Sequence, residues 1–403
     1  MGDIFSNLTE MTGFSNMGWE TILMWLIAFV LLYLGIKKQY EPLLLVPIGF
    51  GVLLANLPGA GLGVVDSSLV MNMDGSYMSL LDIAENHGIM NLLYFSLIKT
   101  GLLPPIIFLG VGVLTDFGPM LRNLKLSLFG GAAQLGIFSV LIGAVLLGFT
   151  LPEAASLGII GGADGPTAIY TTIKLAPHLL GPIAIAAYSY MALVPVIIPF
   201  IAKRMMTEKE FKIHMKKMDQ KYPAKHEIKN LKTVKIIFPI VLGVIVSVLV
   251  PSSAPLLGML LFGNLLKEIG TSTGRLADAA SGPIMNTATI FLGLTVGATM
   301  RWDVFLTPQT LGIIVGGLLA FGVSVAGGIL AVKGYNVFSK KKINPLVGAT
   351  GLSAVPMASR VANEVALQYD KSNHILQYCM ASNVSGVIGS AVAAGVLISF
   401  LGG

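Results

Sequence analysis

Residues 161–172, GGADGPTAIYTT, decide how this chain is read. Asp164 is the only charge between Glu153 and Lys174, and the chain around it is apolar. Gly161, Gly162, Gly165 and Pro166 surround the acid. Glycine admits backbone conformations closed to other residues, and proline removes a helical N–H. An acid embedded in apolar sequence and ringed by helix breakers calls for a solvent other than water.

Composition supplies it. Of 403 residues, 54% are hydrophobic and 11% charged, where soluble chains carry about 25% charge. Mean hydropathy is +0.80. The chain reads as an all-α polytopic membrane protein. Apolar runs at 18–36, 41–57, 101–117, 126–149, 179–202, 236–251, 255–267, 283–300, 310–332 and 375–401 give about ten spans, near the 17–25 residues a helix needs to cross. The 47 glycines suit close helix packing in lipid. A lone Cys379 excludes an internal disulfide and a cysteine-built metal cluster. His87, His178, His214, His226 and His374 lack metal-ligand spacing, and no nucleotide-binding or GxSxG motif occurs. The start lacks a basic n-region, so no cleavable signal is expected. A myristoylation-like pattern, Gly2 to Ser6, is read as chance.

Two apolar stretches, 152–175 and 344–369, carry Gly, Pro and polar residues at their centres. Charge decides how they run. Residues 203–235 hold eleven Lys/Arg against four acids, while 59–90 hold Asp66, Asp74, Asp82 and Glu85 and no Lys or Arg. Basic loops stay in the cytoplasm, so 203–235 is expected inside and 59–90 outside. The first spans leave Lys37, Lys38, Arg122 and Lys125 inside, and 203–235 and Lys340–Lys342 join them only if 152–175 dips in from outside and returns. The second odd stretch then becomes a hairpin entered from inside. The basic loop also offers a surface for acidic partners or lipid head groups.

The halves resemble each other. IIFLGVGVLT (106–115) aligns with TIFLGLTVGA (289–298), and GADGPTA (162–168) with GATGLSA (348–354). Tyr190, in AYSYM, is set opposite Asn383, in ASNVS. Because matching spans run in opposite directions, an inverted repeat is expected: 1–202, the basic loop 203–235, and 236–403. Such repeats place ion or substrate sites near the midplane, where broken elements meet.

Irregular backbone at membrane depth must be buried in protein or line a cavity. Its freed carbonyls, with Asp164 and the hydroxyls of Thr167, Thr171 and Thr172, suit Na⁺. An ionised acid there costs about 2.5–3.5 kcal/mol, which a bound cation offsets. The competing reading is an Asp that merely caps a half-helix. The second element, NPLVGATGLSAVPMASR (344–360), has no acid: Thr350 stands where Asp164 does, and Asn344, Ser353 and Ser359 offer oxygens. Arg360 is its nearest cation, fit either to pair with a carboxylate or to snorkel as an anchor. Tyr190 and Asn383 are polar in apolar spans, and Asn286 and Thr287 are weaker candidates of that kind.

GGADGPTAIY, Tyr190, NPLVGATGLSAVP, Arg360 and SNVSGVIGSAVAAG (382–395) resemble the β subunit of the biotin-dependent, sodium-translocating decarboxylases, over nearly the whole chain. The resemblance implies a membrane-embedded carboxybiotin decarboxylase coupled to Na⁺ export in a bacterial or archaeal cell membrane. Carboxybiotin would arrive on a biotin carrier protein. A carboxyltransferase α subunit, a small membrane γ/δ subunit and homo-oligomerisation are implied as well, and no nucleic-acid partner. By the same resemblance Asp164 and Asn383 bind Na⁺, and Tyr190 and Ser353 serve a second ion or the proton path. Arg360 lies near carboxybiotin, with Asn344 and Gly348 among the functional positions. The rival, a sodium-coupled carrier of a small organic anion, shares the repeat and the acid but does no chemistry.

Overall fold

A computed structural model describes residues 12–39, 41–72, 76–223, 230–354 and 356–402. The Gly2–Ser6 pattern, Asp74, Lys225, His226 and Lys229 lie outside the described residues. Among those described, regular structure is helical apart from an isolated bridge between Met71 and Tyr77. The principal helices are α1 (Trp19–Ile36), α2 (Pro42–Ala55), α3 (Leu80–Leu93), α4 (Leu103–Leu114), α5 (Leu124–Leu146), α6 (Leu151–Gly158), α7 (Gly165–Leu175), α8 (Leu180–Ala192), α9 (Val194–Met205), α10 (Leu231–Leu249), α11 (Ala254–Ile269), α12 (Gly274–Ala298), α13 (Pro308–Phe338), α14 (Leu346–Ala349), α15 (Met357–Tyr369) and α16 (Leu376–Leu401).

Six of these are long and apolar enough to cross a membrane: α1, α5, α10, α12, α13 and α16. Two bent pairs raise the number to eight: Leu80–Ile98 with α4, and Pro177–Met191 with α9, each bent by 65°. The chain is thus a multi-pass membrane protein. The expected span 179–202 breaks at Leu193, just before Pro195, whose ring denies the next turn a donor. Helix α3 was not anticipated because Asp82, Glu85 and Asn86 interrupt its apolar run. Apolar side chains of α10, among them Ile240, Val244, Val248 and Leu249, are exposed, as a lipid-facing helix requires.

Glycine notches hold the outer helices together. A Cβ added to Gly51 of α2 would lie 2.3 Å from the Leu294 carbonyl of α12, and one on Gly297 would lie 2.3 Å from the Ile48 carbonyl. Likewise, a Cβ on Gly263 of α11 would lie 2.0 Å from the Leu109 carbonyl of α4, and one on Gly112 would lie 2.0 Å from the Leu260 carbonyl. Without a hydrophobic force between helices in lipid, such close backbone approach supplies the packing energy. At the end of α4, Lys235 Nζ meets Asp116 (2.8 Å) and Glu268 (2.9 Å). Burial pushes the Asp116 carboxyl up, but Lys235 and the Gly118 N–H outweigh it and hold it below its ordinary value.

Both odd stretches are broken elements. In the first, α6 passes through a 3₁₀ turn (Ile159–Gly162) to Ala163, which takes a left-handed conformation (φ 53°), and α7 follows. Its mouth closes where the His178 ring Nε2 lies 2.9 Å from Glu153, which also accepts from Thr150 N–H (2.9 Å). Residues 154–173 are all buried. In the second, α14 ends at Thr350, irregular backbone follows, and α15 leaves. Helices α5, α8, α13 and α16 pack around the two elements.

Candidate ion site where the two broken elements meet

The two tips touch through their backbones: Ser353 N–H donates to the Gly162 carbonyl (2.9 Å). Asp164 sits at this contact, 5% exposed. Its Oδ1 accepts from Thr167 N–H (3.2 Å), so it does cap α7. That bond leaves Oδ2 free, and Oδ2 accepts from Ser353 Oγ (2.8 Å) and Ser390 Oγ (2.9 Å). The cap thus uses one carboxylate oxygen and leaves the other to Ser353 and Ser390. No basic side chain pairs with Asp164 among the described residues.

Gly165 is glycine for a steric reason. A Cβ there would lie 2.0 Å from Cε1 of Tyr188, whose ring presses on the start of α7. Asn383 of α16 is fully buried and donates from Nδ2 to the Leu352 carbonyl at the second tip. Its Oδ1 has no partner, and neither do Thr167 Oγ1, Tyr188 Oη, Gln134 Oε1, Ser324 Oγ or Ser382 Oγ. An unmet buried oxygen is costly. Neutral oxygens and a carboxylate are the kind of donor that hard cations take, and no group of His, Cys, Asp and Glu suited to a transition metal occurs among the described residues.

A family model described as Na+-transporting oxaloacetate decarboxylase beta subunit matches residues 20–401. The chain belongs to this family. It is similar to the methylmalonyl-CoA decarboxylase subunit beta of Propionigenium modestum, at 50% identity over 395 residues covering 97% of each chain. Similarity to the oxaloacetate decarboxylase beta chain of Klebsiella pneumoniae is 46% over 434 aligned positions, 98% of each chain. For the glutaconyl-CoA decarboxylase subunit beta of Acidaminococcus fermentans it is 44% over 402, 99% of this chain and 98% of that one.

In this β subunit the sequence-predicted positions divide into groups. Asp164 and Ser353 are hydrogen-bonded, and Asn383 reaches the same tip. Tyr190 turns elsewhere: its hydroxyl donates to the Ile314 carbonyl and its ring lies on Gly317 of α13. Tyr188, two residues earlier, is the tyrosine on the Asp164 side. Asn344 is buried and ties down the basic segment 203–235, donating to the carbonyls of Phe211 (3.0 Å) and Ile213 (3.3 Å). Asn373 donates to Ile213 as well (3.0 Å), and Phe211 stacks on Tyr369 at 4.1 Å. Gly348 meets Gly328 of α13 backbone to backbone. Arg360 is exposed and its side chain makes no hydrogen bond or ion pair among the described residues.

Some expected donors fall away. The hydroxyls of Thr171 and Thr172 are spent on the carbonyls of Thr167 and Ala168, as threonines inside helices commonly are. Asn286 and Thr287 are exposed on α12, so they do not join the buried set. Conversely, Ser390 and Gln134 were not singled out in the sequence. Ser390 lies seven residues after Asn383, two helical turns on and so on the same face, a spacing that would have found it.

Proposed function

We propose that this β subunit decarboxylates carboxybiotin at its cytoplasmic side and couples the reaction to outward movement of Na⁺ through the Asp164 site. The observation that carries this is the buried Asp164 carboxylate, held by two serines from the other half and lacking a basic partner. Na⁺ would be the transported substrate there, with Asp164, Ser353 and Asn383 as ligands. Relatives named as decarboxylase subunits favour this reading over a plain anion carrier.

Decarboxylation of an N-carboxy group needs the carboxylate taken out of water and a proton delivered to nitrogen. Arg360, unpaired and at the cytoplasmic end, would receive the carboxybiotin carboxylate, with Asn344 and Gly348 shaping the element that carries it. Tyr190 would serve the proton path. The biotin carrier, a carboxyltransferase subunit, a small membrane subunit and further copies of this chain complete the proposed assembly in a bacterial or archaeal membrane.

An inverted repeat of ten spans and two re-entrant hairpins fits the packing. Gly112 and Gly297 lie 185 residues apart, as do Leu109 and Leu294. Gly51 and Gly263 lie 212 apart, as do Ile48 and Leu260. Each glycine notch therefore pairs a helix of one half with a helix of the other, and the second notch repeats the first with the halves exchanged, at an offset two residues longer than the 183 of the 106–115 and 289–298 alignment. The ends agree: Asn56 Nδ2 donates to the Met300 carbonyl (2.8 Å) and Asn264 Nδ2 to the Thr115 carbonyl (2.8 Å), acceptors again 185 apart. The basic segment before α10 and the lysines after α1 give these equivalent helices opposite directions, as an inverted repeat requires. Repeats 1–202 and 236–403 flank the basic loop 203–235. The two hairpins with α8, α9 and α16 would move against the remaining helices, turning the ion site from one face to the other.

The test is reconstitution into liposomes with free carboxybiotin. Na⁺-dependent CO₂ release with Na⁺ translocation is expected. Uptake of an organic anion without CO₂ release would establish the carrier instead.

A further inference from the structure

Helix α5 is interrupted at one residue, Gln134, between Leu124–Ala133 and Leu135–Leu146. The side chain is 7% exposed and stands deep in the protein. Its Nε2 points at three carbonyls: Gly130 in its own helix (3.2 Å), Gly386 in α16 (3.3 Å) and Gly351 at the tip of the second hairpin (3.5 Å). Three acceptors around one atom fix which end of the amide is nitrogen. The oxygen must then face the other way, and there it finds no partner.

What it faces is the first hairpin. A Cβ built on Gly162 would lie 3.6 Å from Gln134 Oε1 and 3.1 Å from Ser390 Cβ. Ser390 is the residue that donates to Asp164 Oδ2 (2.9 Å). One on Gly389 would lie 3.0 Å from Gln134 Cγ. The amide thus touches both hairpin tips and α16, the three elements that carry Asp164, Ser353, Asn383 and Ser390. Gln134 itself belongs to neither hairpin but to a flanking helix.

A residue needed only to tie three carbonyls has no use for a buried oxygen without a partner. A hard cation passing the Asp164 carboxylate does use one, since neutral amide oxygens are ordinary ligands for such ions. We propose that Gln134 is a further residue of the Na⁺ path. Its Oε1 coordinates the ion beside Asp164, and its Nε2 holds the second hairpin and α16 in register while the ion is bound. This deepens the Na⁺ reading of the Asp164 site and rests on it.

The test uses the complex purified with its partner subunits. Gln134→Met and Gln134→Glu are compared with the parent and with Asp164→Asn. Two quantities are read: the Na⁺ concentration for half-maximal carboxybiotin decarboxylation, and the rise in melting temperature when Na⁺ replaces choline. Gln134→Met removes the oxygen and is expected to raise the half-saturating Na⁺ about tenfold or more and to shrink the Na⁺-induced rise. Gln134→Glu keeps an oxygen but loses the donor, and is expected to retain Na⁺ dependence close to the parent's or tighter.

If the role is only structural, both variants lower the melting temperature alike and leave the half-saturating Na⁺ within about twofold, which overturns the proposal. If Gln134→Met fails to fold, Gln134→Ala takes its place: a half-saturating Na⁺ raised about tenfold supports the proposal, and one within about twofold of the parent's overturns it. A parent complex that Na⁺ does not stabilise would sink the underlying site reading as well. A Na⁺-stabilised parent, an insensitive Asp164→Asn and a parent-like Gln134→Met would remove Gln134 alone.

Discussion

Asp164→Asn is expected to abolish Na⁺-dependent carboxybiotin decarboxylation while leaving the fold at least as stable as the parent. The two halves of that result come from different oxygens. Asn keeps an Oδ1 that accepts from Thr167 N–H, so the cap on α7 survives. At the other position an amide NH₂ replaces Oδ2. The Ser353 and Ser390 hydroxyls, which now donate, can rotate and accept instead. The buried hydrogen bonds therefore persist, and an uncompensated charge disappears. What does not persist is attraction for a cation. Removing one member of a buried charge pair costs about 3–5 kcal/mol, so Na⁺ affinity should fall roughly 10²–10⁴-fold. The measurement is CO₂ release from free carboxybiotin against Na⁺ concentration, beside a melting curve. Asp164→Ala makes the contrast. It removes the cap as well, and should lose about 1 kcal/mol of stability in addition. Turnover of Asp164→Asn within a few-fold of the parent would mean that this carboxylate holds no ion.

The part of the site legible in the sequence is the part that violates its surroundings. A single acid among apolar residues cannot be overlooked, and its glycines and proline announce broken helix. Legibility fades where a functional group also satisfies local rules. Ser390 is a small residue in an apolar helix, and such residues are ordinary there as packing contacts. Gln134 is a lone amide in an otherwise apolar run, visible in principle, but nothing along the chain says that it meets Gly351 and Gly386, more than two hundred residues away. Tyr190 and Tyr188 show the limit from the other side. Both are tyrosines in one apolar helix, and only the packing of Gly165 against one ring and Gly317 against the other tells which faces Asp164. The helical, membrane-spanning character was set by composition alone. The bends between Ile98 and Leu103 and at Leu193 were not. Polar side chains hide the length of the Leu80–Ile98 segment, and residues 179–202 form one continuous apolar run with no polar break at Leu193.

Gly348 gives the second large effect, and the reason is packing. Family resemblance places it among functional positions, next to Asn344. In the fold its Cα faces Gly328 of α13, and a Cβ on either glycine would lie 2.0 Å from the carbonyl oxygen of the other. No rotamer relieves a clash between a β-carbon and backbone, so one helix must move. Overpacking of a tight contact costs about 1–3 kcal/mol when side chains can yield, and here they cannot, so Gly348→Ala should sit at or above the upper end. The second broken element would be pushed from α13, carrying Ser353 off Asp164. Gly328→Ala is the decisive companion. It lies on α13 rather than on the broken element, so a direct role at the substrate predicts little harm from it. Packing predicts that Gly328→Ala lowers the melting temperature and the turnover as much as Gly348→Ala does. Gly327→Ala, whose nearest neighbour would be 3.9 Å away, should be silent in both assays. A harmless Gly328→Ala beside an inactive but stable Gly348→Ala would return Gly348 to the reaction site.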